Sequence, residues 1–156
     1  MKRKNKRRSN RLTKPKVWNL FAPLIKDVLE AVFGNKCVTC GKEDLVGYDR
    51  QLGHFRSQAG HPRVRWWIKN LGLQCSSCNG PKYQGKPYEF SLWVAETYGQ
   101  QGLEELIFLS NGTYTTTQAT YIDVLTRVKE YNRLISDRKM THREVYEHIL
   151  ETNFGL

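Results

Sequence analysis

The sequence predicts an α+β fold: a ββα unit with helices packed on its N- and C-terminal sides. Three observations predict it. All four cysteines fall in two Cys-x-x-Cys pairs, Cys37 with Cys40 and Cys75 with Cys78. Between the pairs the chain reads as strands interrupted by glycine, including the β-branched and aromatic run at 63–68. Before and after them, apolar residues recur at helical spacing.

The N-terminal stretch is basic. Residues 2–16, KRKNKRRSNRLTKPK, hold nine of the 25 basic residues and no acidic one: Lys2, Arg3, Lys4, Lys6, Arg7, Arg8, Arg11, Lys14 and Lys16. The other sixteen basic residues nearly balance the fifteen acidic ones, so the net charge of +10 is concentrated in the arm. A near-neutral body with a cationic arm points to an anionic polymer. A solubility tail is the plain alternative. A membrane surface fits less well, because Leu12 is the arm's one apolar anchor.

Next come Val17, Leu20, Leu24, Val28 and Val32, with Phe21, Ile25 and Leu29 widening the stripe into a helix. Pro23 places the start of its regular part nearby, and Gly34 and Asn35 stop it. The first cysteine knuckle follows at 37–41. Residues 45–58 read as a strand with glycine interruptions, 59–62 as a turn and 63–68 as a second strand. After the second knuckle, a short helix is expected from Pro81 to Gly85.

The C-terminal half is helical. Phe90, Trp93 and Val94 form one face, a break falls at 98–102, and Leu103, Leu106 and Ile107 form another. Tyr121, Val124, Leu125, Val128, Tyr131 and Ile135 mark a long helix capped within the threonine run at 115–117. A last helix starts at Thr141, where Glu144 completes a capping box. At 156 residues the chain fits one domain with an appended arm. Its parts are a flexible arm at 1–16, a core at 17–88 and a helical region at 89–156. No apolar run approaches the roughly 18 residues of a membrane span, and no apolar segment turns the basic start into a secretory signal. The expected compartment is the cytoplasm.

In a cytoplasmic chain, paired cysteines point to thiolate–metal ligation more than to disulfides. One tetrahedral zinc with four thiolate ligands satisfies both pairs, whereas a redox Cys-x-x-Cys explains only one. The 34 intervening residues exceed zinc-ribbon spacing, so something is inserted inside the zinc frame.

Three segments then stand together: LGHFR with His54, KNL with Asn70, and CSSCNGPK with Asn79 and Lys82. The order His, Asn, Asn wound around two knuckles resembles the HNH nucleases, whose fold is the ββα-metal finger. More closely, GHFRSQAGHPRVRWWIKNLGLQCSSCN resembles the NinG (Rap) recombination proteins of lambdoid phages. The shared features are Gly-His-aromatic-Arg, Pro-x-x-Arg-aromatic and Gln-Cys-x-x-Cys-Asn, within a similarity running from about residue 20 to residue 135. The resemblance implies a zinc-stapled ββα-metal (HNH) finger packed with N- and C-terminal helices. It also implies a metal-dependent endonuclease, phage- or prophage-encoded, that cuts branched DNA such as Holliday junctions, D-loops and flaps in the bacterial host. By that resemblance, His54 is the general base, Asn70 braces the hairpin and Asn79 binds catalytic Mg²⁺, for which Mn²⁺ could substitute. Arg56, Arg63, Arg65, Lys82 and the arm would meet DNA phosphates. Symmetric cuts would suit a homodimer.

Elementary chemistry agrees with the roles. Phosphodiester hydrolysis needs a base to activate water and a cation to stabilise the charge at phosphorus. An unperturbed imidazole titrates near pH ~6.5, so a neutral base is available. A hard cation prefers oxygen donors such as the Asn79 side chain. The plainer readings are a helix cap for Asn79 and a solvated side chain for Lys82. His61, His142 and His148 are expected as core or exposed residues.

One departure from the resemblance bears on activity. HNH enzymes usually carry Asp or His just before the base, and NinG-like proteins an Asp three residues before it. Here those positions are Gly53 and Gln51. Either Gln51 or, through a bulge, Asp49 of the same strand parity would supply the first cation ligand. The rival functions are a non-catalytic zinc-finger DNA-binding recombination protein, and an HNH nuclease of homing or restriction type.

Overall fold

The computed structural model describes residues 11–154; Lys2, Arg3, Lys4, Lys6, Arg7 and Arg8 of the arm lie outside the described residues. Helix α1 (Lys14–Phe33) begins inside the expected arm. Pro15 sits in its first turn, where a fixed φ and a missing N–H are tolerated. Pro23 is therefore interior to the helix rather than at its start. It is exposed, as is Asn19 one turn earlier, so water can take the carbonyl that a proline leaves unbonded. Val17, Phe21, Leu24, Ile25, Val28 and Leu29 bury one face, and Gly34 ends the helix at φ 81°. The arm is also tied at Leu12: its N–H donates to Gln118 Oε1 (3.0 Å) and its carbonyl accepts from Gln118 Nε2 (2.7 Å).

The sheet has two short antiparallel strands, β1 (Gln51–His54) and β2 (Leu71–Gln74), with Gln51 opposite Gln74 and His54 opposite Leu71. The longer strand expected at 45–58 is cut short by a 3₁₀ turn at Gly47–Asp49, where Gly47 has φ 53°. The expected strand at 63–68 is absent. Two 3₁₀ turns, Pro62–Val64 and Ile68–Asn70, stand there instead. Local bonds satisfy this backbone without a partner strand: Trp67 N–H to Val64 O at 3.2 Å, Asn70 N–H to Trp67 O at 2.9 Å, and Asn70 Nδ2 to Val64 O at 3.0 Å. The alternation of the aromatic run survives, since Trp66 packs into one core and Trp67 into another.

The short helix also falls earlier than expected. Helix α2 is Ser76–Asn79, one turn that begins within the knuckle, and Pro81 to Gly85 form a turn closed by Gly85 N–H to Cys78 O at 2.9 Å. Helices α3 (Pro87–Ser110), α4 (Gln118–Ser136) and α5 (His142–Thr152) follow. The break expected at 98–102 is a kink at Gly99, with φ 75°. Both expected caps form: Thr117 exchanges bonds with Thr120, and Thr141 with Glu144. One core gathers α1, both strands, Trp66, α4 and α5; the second lies between the 62–70 loop and α3, around Val64, Trp67, Phe90, Val94 and Leu106. Among the described residues no helix is long and apolar enough to cross a membrane.

Candidate metal centre and adjoining cleft

The two knuckles meet. The sulfurs of Cys37, Cys40, Cys75 and Cys78 all lie within 4.8 Å of one another, with Cys40 Sγ 3.8 Å from Cys75 Sγ, and all four are free of disulfides. A zinc–thiolate tetrahedron with bonds of about 2.3 Å has sulfur–sulfur edges of about 3.8 Å, so the donor set fits zinc. The local folding follows from main-chain bonds. Gly41 N–H closes the first knuckle on Cys37 O (2.8 Å), and Val38 N–H donates to Leu73 O (2.8 Å), fixing that knuckle to β2. Burial opposes ionisation of these thiols: it raises Cys40 and pushes Cys78 up to about 12, while at Cys37 hydrogen bonds from the Thr39 hydroxyl and neighbouring main chain outweigh it and hold the thiol down to about 6. A bound cation would be needed to ionise the raised thiols.

The knuckle delivers Asn79 to β1. Asn79 Nδ2 donates to Gln51 Oε1 at 2.8 Å, and Gln51 Nε2 donates to Tyr48 O at 3.0 Å. The second bond holds the Gln51 amide so that its oxygen faces Asn79. Both residues line a cleft of about 390 Å³ shared with Trp18, Lys26, Arg50 and Gln58. Asp49, the alternative ligand, is committed elsewhere. Its Oδ1 accepts from Ser76 N–H (2.8 Å) and Ser76 Oγ–H (2.6 Å), and Lys42 pairs with Oδ2. The hydrogen bonds from Lys42 and Ser76 hold its carboxyl down to about 2. Asp49 thus fastens the start of α2 and does not line the cleft.

His54 is held at one ring nitrogen. Its Nε2–H donates to Arg65 O at 3.1 Å, which leaves Nδ1 with the lone pair. Trp18 of α1 stacks on the ring, centroids 5.2 Å apart at 28°. Burial pushes the imidazole down to about 4, against the Arg65 carbonyl and with help from the charges of Arg65 and Lys14. His54 does not itself line the cleft; Trp18 belongs to both. Asn70 is fully buried and clamps the loop that presents the Arg65 carbonyl. Its Oδ1 accepts from Arg56 N–H (2.7 Å), and its Nδ2 donates to Arg56 O and Val64 O (3.0 Å each).

Gly53 has a packing reason. A Cβ there would fall 2.0 Å from Gln74 Oε1 and 2.6 Å from its Cδ. The buried Gln74 side chain crosses β1 at this point to donate to Thr39 Oγ1 (3.1 Å) and Gly85 O (2.8 Å), joining the two knuckle regions. Gly53→Asp is therefore expected to destabilise the protein by about 2–4 kcal/mol through overpacking. A denaturant midpoint equal to the parent's would contradict this.

One loop cation differs from expectation. Arg65 is buried, its guanidinium donating to Gln58 O (2.7 and 3.1 Å) and Thr116 Oγ1 (3.3 Å); it is a strut within the loop, not a phosphate contact. Arg56 reaches Ser110 Oγ (2.9 Å) and Asn111 Oδ1 (3.2 Å), and Arg63 packs beside Gly112. The loop has little regular structure, and these long side chains tie it to α3 and to the segment after it. Lys82 is exposed, with Nζ 5.0 Å above the Tyr83 ring, in a turn rather than in the short helix expected from Pro81 to Gly85. Lys14 and Lys16 lie in the first turn of α1, and Arg11 just before it. Of the other histidines, His61 bonds Ser110 O (2.9 Å) and His148 the Tyr131 hydroxyl (2.8 Å). The residues not nominated from sequence are Trp18, Lys26 and Gln74. Gln74 opens the Gln-Cys-x-x-Cys-Asn segment, which could have marked it, whereas nothing in the spacing of Trp18 and Lys26 distinguishes them from ordinary helix positions.

A family model described as "Bacteriophage Lambda NinG protein" matches residues 1–140. Three curated relatives, each named "Protein ninG", come from Escherichia phage lambda, Escherichia phage 933W and Enterobacteria phage VT2-Sa. Each is 29% identical over 70 residues, which cover 45% of this chain and 33% of the relative, so the chain spans about a third of their length. No solved structure matches the chain.

Proposed function

The chain belongs to the bacteriophage lambda NinG family, and from that premise we propose that it is a divalent-metal-dependent endonuclease of the HNH, ββα-metal type. Its substrate is branched DNA, Holliday junctions and D-loops among the forms, cut during phage recombination. The observation that carries the reading is the contact of Asn79 with Gln51. The residue after the last zinc cysteine meets β1 three residues before His54, so the hairpin that carries the imidazole also brings the two amides together; Asn79 Nδ2 now covers Gln51 Oε1, and a cation there would be met by Gln51 Oε1 and, once the Asn79 amide turns over, by its Oδ1.

Each residue has a task in this reading. The four cysteines hold zinc and fix α2 against the hairpin. Asn70 holds the loop, the loop's Arg65 carbonyl takes Nε2–H of His54, and Nδ1 accepts the proton of the attacking water. Burial pushes its pKa down to about 4, which keeps the ring neutral under ordinary conditions but makes it a weaker base than a free imidazole, so the attacking water would have to be acidified by the cation for the transfer to run. Asn79 and Gln51 would hold the cation, which when bound stabilises the charge that develops at phosphorus and on the leaving oxygen. Both donors are neutral amides, so the negative charge near a dication would come largely from the DNA phosphate, as Mg²⁺ sites built with substrate phosphates allow. The basic arm adds sequence-independent phosphate contacts whose strength falls with salt.

One feature favours the second reading, a DNA-binding protein without cleavage: among the described residues no carboxylate lines the cleft, and Lys26 does. Gln51→Asp separates the two. A carboxylate attracts a hard dication more than an amide does, so the variant is expected to cut branched DNA at lower Mg²⁺ than the parent. Asp49→Asn should leave Mg²⁺ dependence unchanged while lowering the melting temperature, because it weakens the charged acceptor that holds Ser76 at the start of α2. If Asp49→Asn instead abolishes cutting, the ligand assignment is reversed. If parent and Gln51→Asp both bind DNA and neither cuts at any Mg²⁺ concentration, the non-catalytic reading holds.

A further inference from the structure

The turn before β1 carries an apolar tip on a fastened base. Val46 is 72% exposed and Tyr48 85% exposed. Among the described residues, the Tyr48 ring and hydroxyl have no partner. The backbone beneath them is held from several sides. Leu45 is buried and its carbonyl accepts from Asn35 Nδ2 (3.0 Å), and the Val46 carbonyl accepts from Asp49 N–H (3.0 Å). The Tyr48 carbonyl takes Gln51 Nε2, and the next residue, Asp49, grips Ser76 and Lys42. A large ring is thus kept in water, on a backbone that does not let it fold away, at the cleft that contains Gln51, Asn79 and Lys26.

We propose that Tyr48 stacks on an unpaired base at the branch of a DNA substrate, and so is the residue that favours branched over continuous duplex DNA; this rests on the DNA-cutting reading of the same cleft. In a continuous duplex each base face is covered by its neighbours. A flap, gap or junction offers an open face, and stacking on an aromatic side chain is indifferent to base identity. Tyr88 and Phe108 are also well exposed, but they lie on α3 and do not line this cleft. Lys26 supplies a cation for the adjoining phosphate.

The test uses the full chain without added Mg²⁺, a flap DNA carrying 2-aminopurine as the unpaired base nearest the branch, and a linear duplex of matched sequence. Binding of the parent and of Tyr48→Phe is expected to change the 2-aminopurine fluorescence, and Tyr48→Ala to abolish that change. Tyr48→Ala should lose about ten-fold in affinity for the flap and nothing for the duplex. Unchanged zinc content and melting would show that the variant is folded. A Tyr48→Ala protein that keeps both the fluorescence change and the flap-to-duplex ratio overturns the assignment, as does a parent with no preference for the flap. Because only binding is read, a parent that binds without cutting can still bear out the stacking. A parent that cuts junctions while Tyr48→Ala keeps its selectivity overturns the stacking alone.

Discussion

Cys78→Ser is expected to leave the chain without a cooperative unfolding transition. The second knuckle does more than offer metal ligands: Cys78 O accepts from Gly85 N–H, Cys75 O from Asn79 N–H, and α2 starts directly after Cys75 and contains Cys78. The sheet is only two strands of four residues, too little to be stable by itself. Structural zinc contributes on the order of 10 kcal/mol or more to folding in small zinc modules, comparable to a whole domain's net stability. The matching expectation for the parent is about one tightly held zinc per chain by elemental analysis, and loss of its melt on chelation. A metal-free preparation that still melts cooperatively would show that the helices alone carry the fold.

His54→Ala is expected to lower cleavage by at least about 10²-fold, the contribution typical of a positioned acid–base group, while branched-DNA affinity stays as in the parent. The substitution removes the lone pair at Nδ1 and no phosphate-binding cation. The pH dependence carries a second signature. With the folded pKa near 4, below the unfolded value of ~6.5, the neutral base persists well into acid. The acid limb of cleavage should therefore fall below the ordinary imidazole range. The same shift makes His54's contribution to stability complete above pH ~6.5 and progressively lost as pH falls towards 4. Affinity and cleavage lost in parallel would make His54 a structural residue.

The helices were legible because their signals are local. A 3.6-residue apolar stripe, the Thr141/Glu144 cap and the Gly99 break each lie within a few residues of the feature they specify. The cysteines were legible because two matched pairs have few uses. The region between them was not. The run at 63–68 has strand composition, but its backbone bonds go to Asn70 and to neighbouring turns, and no strand lies beside it. The start of α2 is set by Asp49, 27 residues away in sequence, so Pro81 was a misleading marker. Gly53 reads as a departure from an HNH site, whereas its local reason is the Gln74 side chain lying where a Cβ would be. Arg65 reads as a DNA contact until its partners, Gln58 and Thr116, are seen. Trp18 sits on an otherwise ordinary helix, and only the fold brings it against His54.

Hydrolysis of DNA through His54, with a cation at Gln51 and Asn79, as we propose, is decided by incubating an end-labelled four-way junction with the zinc-loaded full chain, with and without added Mg²⁺, and resolving the strands on a denaturing gel. Discrete incisions near the branch with Mg²⁺, absent without it and absent for His54→Ala, are the predicted result. Retardation of the junction with every strand intact, at all Mg²⁺ and Mn²⁺ concentrations, would contradict it.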